Sequence, residues 1–148
     1  MSTDAQTQIA PLLPPSLRLT SFTIALACAG VLAFAAYLSP DPRGFGTHEQ
    51  LGLPPCVSQY FAGFPCPMCG MTTSFALMAD ARAGEAFHAQ PAGAVLFIAC
   101  VLFFAGSIVA VITGRVPERL RKILTAPRLI VPAALLLAIA WIYKLLFE

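Results

Sequence analysis

Charged positions are absent from two long stretches of the chain and almost absent from a third. Leu19 to Leu38 is 20 residues without a charge, Pro91 to Thr113 is 23, and Leu129 to Phe147 is 19 with only Lys144. A helix rises about 1.5 Å per residue, so about 20 apolar residues cross a hydrocarbon core of about 30 Å. All three runs reach that length if Lys144 extends its ammonium to the headgroups. A backbone inside lipid must satisfy its own hydrogen bonds, so the runs predict helices and exclude strands. Pro91 falls in a first turn and Pro132 one turn into the third run, where proline is tolerated. Trp141 and Tyr143 flank Lys144, the usual composition of a helix end at a membrane surface.

The first run also has the look of a signal-peptide core from Ser21 to Leu32, with Ala33-Phe34-Ala35 as a cleavage site. Only Arg18 precedes it as a positive charge, and the apolar run continues through Tyr37 and Leu38. A retained anchor is therefore expected. Ala25-Leu26-Ala27-Cys28 does not read as a lipoprotein site, because the residues after Cys28 stay hydrophobic.

Between the first two runs, residues 39–90 break every period. Six of the 13 prolines fall here, and Pro40 to His48 is turn chemistry. Helical spacing returns at Met71, Phe75, Met78 and Arg82, with Thr72 or Thr73 as a cap and Gly84 as a stop. This predicts one short helix over 73–83, too short to span, interfacial or re-entrant. The expected fold class is all-α integral membrane, in a single domain over 1–148. Its parts are a disordered 1–18, spans at 19–38, 91–113 and 129–147, a loop at 39–90 and a basic connection at 114–128.

Composition agrees with a membrane protein. Of 148 residues 58% are hydrophobic and 11% charged, against about 25% charged in soluble domains. The net charge of +2 is too small to favour a nucleic-acid surface. Lys and Arg divide unevenly: Arg18, Arg115, Arg119, Arg121, Lys122 and Arg128 on one side, and Arg43, Arg82 and Lys144 on the other. Six against three places the N-terminus in the cytoplasm and the loop outside, in a bacterial inner membrane. Pro117 to Ala126 also reads as two turns of interfacial helix. Small residues recur every fourth position at Ala25, Ala29 and Ala33, at Gly106, Ala110 and Gly114, and at Ala134 and Ala138. Such spacing permits close packing within the chain, in a homo-oligomer or against another membrane protein, besides membrane lipid.

The candidate chemistry lies in the loop. Cys66-Pro67-Met68-Cys69-Gly70 places two thiols three residues apart in a turn at a helix start, and Cys56 approaches from the preceding segment. Pro65 and Pro67 pre-set the backbone, while Gly70 permits a tight turn. Three chemistries remain open. The cysteines could hold the loop together by a disulfide, which an exoplasmic location favours. Cys56, Cys66 and Cys69, with His88 or His48, could ligate zinc, iron or copper. A proline-containing Cys-x-x-Cys at a helix start is also the pattern of dithiol redox proteins. Cys28 and Cys100 lie in membrane runs and read as packing residues. Asp80, Arg82 and Glu85 read as a solvated helix end, and no catalytic triad, phosphate loop or carboxylate pair is detectable.

From Leu51 to Phe97 the chain resembles the small bacterial membrane proteins of domain of unknown function 2752. The resemblance rests on Cys56, Pro65, Cys66, Pro67, Cys69, Gly70 and Thr72, then Ala86, Phe87 and Pro91. The family pattern commonly places Arg where Thr73 stands and Asn where Gln90 stands. Without that Arg, the resemblance carries over no cation to activate the thiols. It implies the architecture but no reaction. The functional expectation is a non-enzymatic membrane protein with a cysteine-organised exoplasmic loop in a structural or partner-binding role, with metal binding and thiol redox as rivals.

Overall fold

The computed structural model of the protein describes residues 14–56, 61, 63, 65–115 and 130–147. Five α-helices are found among them: α1 (Pro15–Tyr37), α2 (Met71–Ala79), α3 (Ala83–Ala89), α4 (Pro91–Thr113) and α5 (Ile130–Phe147), with a single 3-10 turn at Thr47–Leu51. No strand occurs among the described residues. The expectations for residues 1–13 and for an interfacial helix at 117–126 fall outside them.

Two of the helices, α1 and α4, are long and apolar enough to cross a membrane. Each has 23 residues, about 35 Å at the helical rise. They pack antiparallel against one another, with Ala25 and Ala35 buried on α1 and Ser107 and Ala110 buried on α4. Their outer faces stay bare: Leu26 is 64% exposed and Leu102 67%. Helix α1 begins at Pro15 rather than after residue 18, so residues 15–18 are helical and not disordered. Pro15 supplies a helical φ at a position whose N–H has no helical acceptor. Arg18 then donates from a guanidinium nitrogen to the Val111 carbonyl at 2.9 Å, tying this end of α1 to the last turns of α4.

The third apolar run corrects the expected count of spans from three to two. It is helical over Ile130–Phe147, but its described apolar segment is only Ala134–Tyr143, about 15 Å at the helical rise. The C-terminal end of α5 turns back to the loop.

The short helix also differs from the 73–83 expectation: α2 ends at Ala79 and α3 begins at Ala83, with Gly84 inside α3. The break is a paired-bond helix stop. Arg82 N–H donates to the Leu77 carbonyl at 2.9 Å and Ala81 N–H to that of Met78 at 3.2 Å, which turns the chain through a left-handed residue. That residue is Ala81, at φ +59°, so the glycine that usually marks such a stop is missing from the sequence. Leu77, Ala86, Ala89 and Ala94, with Met78 beside them, form the core where α2, α3 and α4 meet. Phe75 packs edge-on against Phe97 at 5.5 Å between ring centroids. This junction carries the loop at one end of the α1–α4 pair.

Candidate functional site

Cys66 and Cys69 are the ends of a hydrogen-bonded turn. Cys69 N–H donates to the Cys66 carbonyl at 2.9 Å, and Met71 N–H to that of Met68 at 3.1 Å as α2 begins. Gly70, at φ +83°, makes the change of direction between turn and helix, a conformation that a Cβ would strain. Prolines 65 and 67 have no N–H, but both carbonyls are used. Trp141 donates its indole N–H to Pro65 at 3.0 Å, and Gln90 donates from Nε2 to Pro67 at 2.8 Å. The turn is thereby held from α5 on one side and from the start of α4 on the other.

Gln90 is wholly buried between α3 and α4. Its Oε1 is also buried, with no hydrogen-bond partner among the described residues. Ser74, one turn into α2 and equally buried, shares its hydroxyl between the carbonyls of Ala86 and Gln90 at 3.0 Å each. Gly93 lets α4 come this close, because a Cβ there would lie 2.9 Å from Ser74 Cβ and 3.1 Å from Met71 Sδ.

The Pro-rich half of the loop folds over the cysteine turn. Thr47 and Thr73, both fully buried, hydrogen-bond through their hydroxyls at 2.7 Å, and Asp41 N–H donates to Thr47 Oγ1 at 3.0 Å. Arg43 bridges the carboxylates of Asp41, at 2.8 Å, and Glu49, at 3.1 Å, with its guanidinium 5.2 Å from the centre of the Phe45 ring. Hydrogen bonding to Arg43 holds the Asp41 carboxyl below the usual carboxylate range, and the two carboxylates raise Arg43 further above its ordinary value. On the far side of α2, the Arg82 hydrogen bond holds Glu85 low in the same way.

Between the two halves of the loop lies a cavity of about 530 Å³. Cys56, Cys66 and Cys69 all line it, together with Pro55, Met68, Gly70, Met71 and Thr72 from their own segment. Arg43, Phe45, Gly46, His48 and Glu49 complete the wall. Such a volume is ordinary for a small-molecule site, for which roughly 300–1,000 Å³ is typical. Mostly apolar walls interrupted by sulfur, one imidazole and the paired guanidinium and carboxylate of Arg43 and Glu49 suit a small, largely apolar group with a polar end.

Of the residues singled out in the sequence, the structure gathers Cys56, Cys66, Cys69, His48 and Thr72 around this cavity. His88 is elsewhere. It lines a polar cleft of about 320 Å³ with Asp41, Arg43, Arg82 and Glu85, and its ring meets Tyr143 edge-on at 6.5 Å. Among the described residues no group of three or more His, Cys, Asp or Glu is placed to hold a metal ion. The five cysteines are present as thiols. Arg43, Phe45 and Glu49 were not singled out, although Asp41, Arg43 and Glu49 in a proline-rich turn are a legible ion-pair pattern. Arg43 brings to the thiol cavity, from an earlier part of the loop, a cation that the sequence around the cysteines lacks.

Comparison with known proteins finds a likeness over about a third of the chain. Residues 56–104 match the family described as Protein of unknown function (DUF2752). No curated protein and no solved structure matches the chain. The DUF2752 segment begins at Cys56, contains the cysteine turn, α2 and α3, and ends within α4. It overlaps the resemblance, which runs from Leu51 to Phe97, over residues 56–97. Thr73 and Gln90, where the resemblance led to an expectation of Arg and Asn, are both fully buried in the matched segment. Each makes a hydrogen bond that holds the cavity wall, Thr73 to the Pro-rich half and Gln90 to the cysteine turn.

Proposed function

We propose that the protein is a small integral membrane protein that binds a small, largely apolar group in a loop pocket walled by Cys56, Cys66 and Cys69. The cavity of about 530 Å³ that those three cysteines line together carries this reading. The pocket sits at one end of two membrane-length helices, so what it binds is presented at the membrane face, by a partner or by the surrounding lipid. The excess of Lys and Arg in the N-terminal flank and the 114–128 connection of the sequence supports an exoplasmic pocket and a cytoplasmic N-terminus, in a bacterial inner membrane. Binding rather than conversion is favoured because the charged groups on the cavity wall are committed to structure, Arg43 being paired with the carboxylates of Asp41 and Glu49.

Size-graded thiol labelling of the reduced full chain in lipid tests this. N-ethylmaleimide should modify Cys66, which is half-buried on the wall, while a polymer-linked maleimide should fail until the protein is unfolded. Equal reaction with both reagents would make the cysteines part of an open surface loop, and no reaction with either would close the pocket. Both results contradict the proposal.

A further inference from the structure

Cys28 and Cys100 were read as packing residues, one in each membrane-length helix, but the antiparallel pairing of α1 and α4 brings them together. The register is set at one end by the Arg18 hydrogen bond to Val111. Ten residues further along α1 and eleven back along α4, about three turns each, stand Cys28 and Cys100. That register sets the two thiols beside one another across the packed α1–α4 interface. Both thiols are half-buried, so the pair is neither sealed in a core nor separated by lipid. Cys28 lies ten residues before Leu38 and Cys100 nine after Pro91, which puts both about 14–15 Å below the loop-side ends. That is mid-depth in a hydrocarbon core of about 30 Å.

We infer that Cys28 and Cys100 form a redox-sensitive cross-link between α1 and α4, separate from the loop pocket and independent of what the pocket binds. On oxidation the two S–H bonds break and one S–S bond forms. The two electrons and two protons pass to a lipid-soluble two-electron acceptor of the benzoquinone class, which becomes the hydroquinone. The depth of the pair selects such an acceptor, because a charged oxidant does not enter hydrocarbon. Closing the bond requires Cα atoms within about 7 Å, and the small side chains of Ala25 and Ala29 beside Cys28 on α1 favour a close approach of the helices.

The test uses the full chain in lipid nanodiscs, fully reduced, then exposed to a ring-substituted decyl benzoquinone or, separately, to membrane-impermeant tetrathionate. Peptide mapping without reductant should show Cys28 joined to Cys100 within one chain after quinone treatment, with the mass of two hydrogens lost. Tetrathionate should leave both as thiols. The cross-link should persist when Cys56, Cys66 and Cys69 are all replaced by serine and vanish in Cys28→Ser. Because the wild-type map needs no variant to fold, it decides the matter alone. Cys28 and Cys100 remaining reduced while the loop cysteines oxidise, or joining only between chains, would overturn the inference. Neither result bears on the loop pocket.

Discussion

The indole N–H of Trp141 donates to the carbonyl of Pro65 at 3.0 Å, joining residues 76 positions apart. Pro65 immediately precedes Cys66, so the C-terminal helix holds the cavity wall in place. Trp141→Phe keeps the ring and removes only the donor. It should cost about 1 kcal/mol and speed N-ethylmaleimide modification of Cys66 roughly fivefold. An unchanged rate would show that α5 does not hold the turn.

The crossing of α2 and α4 leaves no room for a side chain at Gly93, whose added Cβ would meet Ser74 at 2.9 Å. Gly93→Ala should lower thermal stability in detergent, by about 1–3 kcal/mol, as overpacking does. Gly30, in α1, has nothing within 4 Å of its built Cβ. Gly30→Ala should therefore be neutral or stabilising, by roughly 0.5–1 kcal/mol. Equal effects at the two glycines would contradict the close approach.

Ala81 occupies the left-handed position of the stop between α2 and α3, at φ +59°. Ala81→Gly should raise stability by about 1 kcal/mol, the strain of an L side chain there. Ala81→Val should lower it, and the order of the two melting temperatures is the readout.

How much of this was legible in the sequence differs by element. Run length gave α1 and α4 to within a few residues, because crossing lipid requires uninterrupted apolar sequence. It could not show that α2 stops at Ala79, since Ala81 adopts a conformation that alanine does not advertise. The grouping of Cys56 with Cys66 and Cys69 was readable from their spacing in a proline-restricted loop. Arg43 was not, because its place beside the thiols depends on Asp41, Glu49 and Thr47 folding the Pro-rich half back over α2. His88 faces Tyr143 and Arg82 rather than the thiols for the same reason: α3, which carries it, is turned away by the break at Ala81.

Acid should loosen that Pro-rich half selectively. Hydrogen bonding to Arg43 holds Asp41 below its ordinary value of 3.8, so its contribution is complete above that value and is lost as pH falls through the lower folded one. Amide exchange, corrected for intrinsic rates, should show Asp41 and Arg43 losing protection below about pH 4 while α4 keeps its own. Asp41→Asn should remove the pH dependence. Protection of Arg43 that does not change across that range would contradict the role given to the pair.

A short bifunctional thiol reagent, dibromobimane, tests most directly whether three cysteines share one cavity. Applied to the reduced full chain in lipid, with bridged peptides mapped by mass spectrometry, it should join Cys56 to Cys66 or to Cys69 within one chain. Replacing Cys56 by serine should leave, among the loop cysteines, only the Cys66–Cys69 bridge. Wild-type protein yielding that bridge alone, with Cys56 modified singly, would contradict a pocket walled by all three.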